Sequence, residues 1–124
     1  MTIDENTTDS TNSALDSTNS LYMHPSESTG SMLVLGLFDG SGYRSWRRGV
    51  LRALSVKNKV GFINVKCRKP EPQDPSYDQW ECCDDMVTSW ILNSISKDSA
   101  NSLQYVNDAQ ELWKELEDRY DQTN

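Results

Sequence analysis

The sequence predicts a mainly α-helical domain of three main helices, preceded by a short apolar segment and a disordered acidic tail. Two observations carry that prediction. Apolar residues recur at three- and four-residue steps in three separate stretches, the period of a helix that buries one face. Helix-start signals stand at the head of two of them, Asp74-Pro75 and Asp108 with Glu111 three residues on.

The tail comes first. In residues 1–20 only Met1, Ile3, Ala14 and Leu15 are apolar among acids, amides, Ser and Thr. Such a segment buries too little surface to offset the entropy of ordering it. Residues 21–124 then form one domain of adequate size. Their first part is irregular, with Pro25 and Gly30. Met32-Leu33-Val34-Leu35 reads as a short strand or an apolar plug, cut off by Gly36, Gly40 and Gly42.

The first helix is expected over residues 43–57. Tyr43, Trp46, Val50, Ala53 and Leu54 gather within about a 100° arc of its wheel. Arg44, Arg47, Arg48 and Arg52 occupy the adjoining arc, and Gly61 is expected to help stop the helix. Residues 60–74, with Pro70 and Pro72, read as an extended loop. Asp74 is then the expected N-cap and Pro75 the first helical position of a helix reaching about Ser96. Its stripe is Trp80, Cys83, Val87, Trp90, Ile91 and Ile95. A short turn is expected around residues 100–103. In the last helix Asp108 and Glu111 resemble a capping box, and Ala109, Leu112, Trp113, Leu116 and Tyr120 mark one face.

Several function classes are excluded by what the chain lacks. The start has neither a basic nor an apolar signal-peptide region, and no apolar run approaches the ~20 residues of a membrane helix. Cys67, Cys82 and Cys83 are odd in number, which points to free thiols in a reducing compartment, cytoplasm or nucleus. No membrane partner is expected. Leu37-Phe38-Asp39-Gly40-Ser41-Gly42 transposes the Gly and Ser of an aspartic-protease motif, and no Lys follows its glycines as a P-loop requires. His24 is the single histidine, so no standard zinc spacing can be assembled with the cysteines. The chain is therefore read as non-enzymatic, without cofactor, metal or small-molecule substrate. Asp84, Asp85, Glu115, Glu117 and Asp118 read as solvated acids, with Glu115 and Arg119 placed to pair at i, i+4.

Charge is segregated along the chain. The net charge is −7, yet residues 40–69 hold nine bases and no acid, and residues 70–124 hold thirteen acids against three bases. Arg44, Arg47, Arg48, Arg52, Lys57 and Lys59 are the candidate nucleic-acid contacts. The bland alternative is a solvated face partly paired with acids of the later helices. Tyr43, Trp46, Trp80, Trp90, Leu112, Trp113 and Leu116 are the candidate core or assembly residues.

The order of landmarks resembles a known family. Leu21-Tyr22-Met23-His24-Pro25-Ser26 is followed by Gly30, Leu33-Val34, and Phe38-x-Gly40-x-x-Tyr43-x-x-Trp46. Then come Ala53-Leu54-Ser55-x-Lys57-Asn58-Lys59-x-Gly61-Phe62-Ile63, Pro70-x-Pro72 and Tyr77-Asp78-Gln79-Trp80-Glu81. Trp90-Ile91-Leu92-Asn93-Ser94-Ile95 and Ala109-x-x-Leu112-Trp113-x-x-Leu116-x-x-Arg119-Tyr120 complete the series. This is similar to the N-terminal part of the Gag protein of plant copia-type LTR retrotransposons, across residues 21–124. Gly42 stands where that family commonly has Asn, Val65 where it has Gly, and Cys82 where it has a basic residue.

The resemblance implies a helical, capsid-like Gag region that self-associates around RNA and has no catalytic residues. Relatives typically continue into further helices and a zinc knuckle, so a truncated Gag is expected. If those helices normally cover Trp90 and Trp113, both should lie open in this chain. The expected partners are copies of itself and, weakly, single-stranded RNA. The alternative is a domesticated or inert remnant acting as a host protein-binding adaptor.

Overall fold

A computed structural model describes residues 16 and 18–121. The tail expected over residues 1–20 lies mostly outside the described residues. Its last part is turned and held, since the Thr18 carbonyl accepts from Asn58 Nδ2 at 3.2 Å.

Four helices form the described chain: α1 (Tyr43–Val56), α2 (Tyr77–Asn93), the short α3 (Lys97–Asn101) and α4 (Ala109–Tyr120). A single 3₁₀ turn, Val60–Phe62, follows α1. Three main helices and the short turn before the last are thus as the periodicity predicts. No helix among the described residues is long and apolar enough to cross a membrane.

The apolar stripes meet in one core. Tyr43, Trp46, Val50 and Leu54 come from α1, and Trp80, Cys83, Val87, Trp90 and Ile91 from α2. Ala109, Leu112, Trp113 and Leu116 come from α4. Trp90 is fully buried and Trp113 only 7% exposed, so neither lies open as the resemblance implied. Trp46 stacks on Trp113 at a centroid distance of 6.1 Å. Phe38 plugs the cluster from outside the helices, edge-on to Tyr120 at 4.7 Å. It is held by a parallel bridge to Ile95, with Phe38 N–H on the Ser94 carbonyl and Ser96 N–H on the Phe38 carbonyl. The apolar plug is therefore Phe38 with half-buried Leu33 and Val34, while Met32 and Leu35 are exposed.

Residues 19–38 run as a strap along α2, fastened by side chains. Gln79 Nε2 donates to the Leu21 carbonyl at 2.6 Å, and the Lys59 ammonium donates to that of Tyr22. Trp90 Nε1 donates to Ser28 O at 2.8 Å, and Asn93 Nδ2 to Thr29 O. Ser94 Oγ accepts from Leu33 N–H at 3.1 Å and donates to Trp90 O at 2.9 Å. Irregular backbone is tolerated here because each of these polar groups finds a partner.

Helix ends depart from expectation in instructive ways. Asn58, at φ 59°, is the left-handed residue that closes α1, the role Asn takes beside Gly at this position. Gly61 instead lies in the 3₁₀ turn, where an added Cβ would meet Cys67 Cβ at 3.2 Å. α2 begins at Tyr77 with Ser76 as N-cap. Asp74 does not cap it, because its Oδ1 is taken by Ser76 N–H and Oγ–H at 2.8 and 2.7 Å. α2 also stops at Asn93, short of Ser96.

The cap of α4 is half reciprocal. Asp108 Oδ1 accepts from Glu111 N–H at 2.8 Å, but Glu111 Oε1 reaches Asn107 N–H at 2.9 Å. Asp84 adds a cap from α2: buried, it accepts the Ala109 N–H at 3.1 Å. It is no solvated acid.

Two of the departures from the family pattern acquire a physical meaning. Gly42 has φ 70°, a left-handed position that both Gly and Asn adopt. Val65 has φ 63°, where a β-branched residue is strained and a glycine is not.

Candidate functional site

The outer face of α1 is the candidate site, and its entrance is a turn. Asp39 Oδ1 accepts from Ser41 N–H and Oγ–H at 3.2 and 3.0 Å, which holds its carboxyl below the usual range. Gly40 and Gly42 then carry positive φ and lead straight into Tyr43. The Asp39-Gly40-Ser41-Gly42 run is spent on this turn. Among the described residues no group of His, Cys, Asp and Glu is arranged to hold a metal ion.

The six candidate basic residues divide in two. Arg47 is committed: its Nε and Nη2 both meet Glu117 Oε2 at 2.8 Å, and its guanidinium lies 5.8 Å from the Trp113 ring centre. Glu117 accordingly raises the Arg47 pKa. The nearby Tyr43 phenol is also raised, by burial first and by the Glu117 charge second. This is the pairing with later-helix acids that the bland alternative anticipates, and Glu117 is not free in solvent.

Lys57 and Lys59 also turn inward. Lys57 Nζ meets both Glu27 oxygens at 2.9 and 2.8 Å and lies 4.8 Å from the centre of the Trp90 ring. Lys59 is 2% exposed, and burial lowers its pKa. A side chain so buried cannot reach a phosphate, which corrects its place among the nucleic-acid contacts. Both lysines fasten the strap. Sequence alone gave no signal for this, because their partners lie about 30 to 37 residues upstream in a segment without periodicity.

Arg44, Arg48 and Arg52 remain. All three are exposed, with no ion pair or side-chain hydrogen bond between them and other described residues. Arg44 and Arg48, with Ser45, Arg47 and Asp121, line an open groove of about 560 Å³. Guanidinium groups so placed can fork onto phosphate or carboxylate oxygens. Tyr43, Trp46, Trp80, Trp90, Leu112, Trp113 and Leu116 are all buried within the one chain. They are core residues here and offer no surface for assembly.

The remaining polar candidates behave as expected. His24 is exposed, its Nδ1 2.8 Å from Ser26 Oγ. Cys82 is exposed, Cys67 half-buried and Cys83 buried, all as free thiols. Burial pushes the Cys83 thiol up to about 11. Arg119 Nε lies 3.4 Å from Glu115 Oε1, the predicted i, i+4 pair.

Comparison with known proteins bears on the strap and on α1. The family model described as the Gag-polypeptide of LTR copia-type matches residues 24–71. No curated protein and no solved structure matches the chain. The matched residues contain most of the strap, all of α1 with its arginine face, and the 3₁₀ turn. Residues 24–71 of this chain are thus similar to the Gag-polypeptide of LTR copia-type elements.

Proposed function

We propose that the chain is a structural, non-enzymatic protein that self-associates and holds single-stranded RNA weakly. The observation that supports the RNA contact is the arginine face of α1, Arg44, Arg48 and Arg52, exposed and uncommitted inside the Gag-like region. Neither a small-molecule substrate nor a membrane belongs to this function, and cytoplasm or nucleus is the compartment it requires.

The affinity expected of such a face is non-specific, about 10⁻⁴ to 10⁻⁶ M. Four arginines would give a log–log salt slope near −3, at ~0.7 per phosphate on single strands. With Arg47 neutralised by Glu117, three contacts remain and the slope falls to about −2. Fluorescence anisotropy of a labelled single-stranded RNA across a salt series measures both quantities. R44A/R48A/R52A should abolish the binding. Binding that survives this triple replacement unchanged removes the α1 face from the function.

A further inference from the structure

The arginine face of α1 has a counterpart of opposite charge on α2. Arg44, Arg48 and Arg52 are spaced by four residues, spanning about 12 Å along α1 at ~1.5 Å per residue. On α2, Asp78, Glu81 and Asp85 are exposed and spaced by three and four residues, a span of about 10 Å. They occupy the face opposite Trp80, Cys83, Val87, Trp90 and Ile91, which fill the core. No ion pair joins either stripe to other described residues. Of the acids near α1, Glu117 is engaged by Arg47 and Glu27 by Lys57, while Asp121 alone among the described acids lines the groove beside Arg44 and Arg48, one carboxylate for three guanidinium groups. Two rigid, solvent-facing helix faces of matched length and opposite sign are therefore left over.

We infer that the α1 arginine face receives the α2 acidic face of a second copy of this chain. The inference rests on the self-association proposed above and names its contact. Charge complementarity selects the occupant: at a net charge of −7 copies repel one another generally, and only an orientation that sets plus against minus lowers that cost. Paired carboxylates accept from guanidinium forks as phosphates do. Each copy carries both halves, so every copy offers a complement to the next. The pairing closes reciprocally in a two-fold dimer or repeats head to tail in chains and rings, and in both cases the mass grows with concentration. RNA phosphates compete for the same three arginines, so RNA dissolves the contact.

Light scattering behind size exclusion, on the full chain over a concentration series, tests this. At low salt the mass should grow with concentration, and high salt should return it to monomer. R44E/R48E/R52E and D78K/E81K/D85K should each stay monomeric, with far-UV circular dichroism unchanged. An equimolar mixture of the two should regain the growth, because each reversed stripe then meets its complement. Variants that associate like the unmodified chain, or a mixture that stays monomeric when both variants do, overturn the contact while self-association itself stands. Growth that single-stranded RNA enhances rather than dissolves overturns it too, making RNA the occupant of the face. An unmodified chain that is monomeric at every concentration ends the self-association proposal and this contact with it.

Discussion

Replacing Asp84 with Asn should stabilise the domain at neutral pH and leave it unchanged in acid. Asp84 is 3% exposed, and its carboxyl is raised from 3.8 to about 6. Burial is the first cause; the Asp108 and Asp85 charges add to it, while the Ala109 N–H and Lys69 oppose it. A carboxyl with a folded pKa above its unfolded one binds its proton more tightly in the native state. Its ionisation therefore costs stability, beginning as pH climbs past about 4 and complete above about 6. At ~1.4 kcal/mol per pH unit the cost at pH 7.5 is about 3 kcal/mol, and about half of that at pH 5. Asn keeps an oxygen for the Ala109 N–H and removes the charge. Urea unfolding followed by tryptophan fluorescence between pH 5 and 8 should show Asp84→Asn ahead by about 2–3 kcal/mol at pH 7.5. The midpoint of thermal unfolding should rise by roughly 10 °C. The gap should narrow to about half at pH 5. A variant less stable at pH 7.5, or a gap independent of pH, refutes the reasoning.

Two further substitutions test the backbone and the strap. Val65→Gly should stabilise by about 0.5–1 kcal/mol, because relief of left-handed strain outweighs the added entropy of the unfolded chain; a loss of stability in urea would show that φ 63° is not strained there. Ser94→Ala should cost about 1–2 kcal/mol by leaving the Leu33 N–H without its acceptor, and hydrogen exchange at Leu33 should quicken ahead of that in α2. Unchanged exchange at Leu33 would mean that Ser94 does not hold the strap.

The helices were legible in the sequence because a buried face repeats every three or four residues. Trp80, Cys83, Val87, Trp90 and Ile91 could be read from spacing alone, and all are buried. Local competition escaped that reading: Asp74 has the right side chain for a cap, but it folds onto Ser76 and the helix starts later. Non-local pairing escaped it more thoroughly. Asp84, Lys57 and Lys59 look like surface charges until their partners, far away in sequence, are known. The candidate site was half legible for the same reason. Spacing placed four arginines on one face, but only the fold shows that Arg47 belongs to Glu117. The left-handed backbone at Val65 had no signal in this sequence, since a β-branched residue is the last expected there.

The strap also sets the order of assembly on the ribosome. Its fasteners to α2 join residues 58 to 64 positions apart, Leu21 to Gln79, Ser28 to Trp90, Thr29 to Asn93 and Leu33 to Ser94. A helical protein of this size ordinarily folds fast because its contacts are local, and each distant closure slows it. Residues 19–38 leave the ribosome ahead of every helix; Lys57 and Lys59 can hold them at Glu27 and Tyr22, but the α2 side chains that fasten the rest follow only later. Closing that distant contact costs more chain entropy than winding any one helix, so contact order places the strap among the slow parts of the fold.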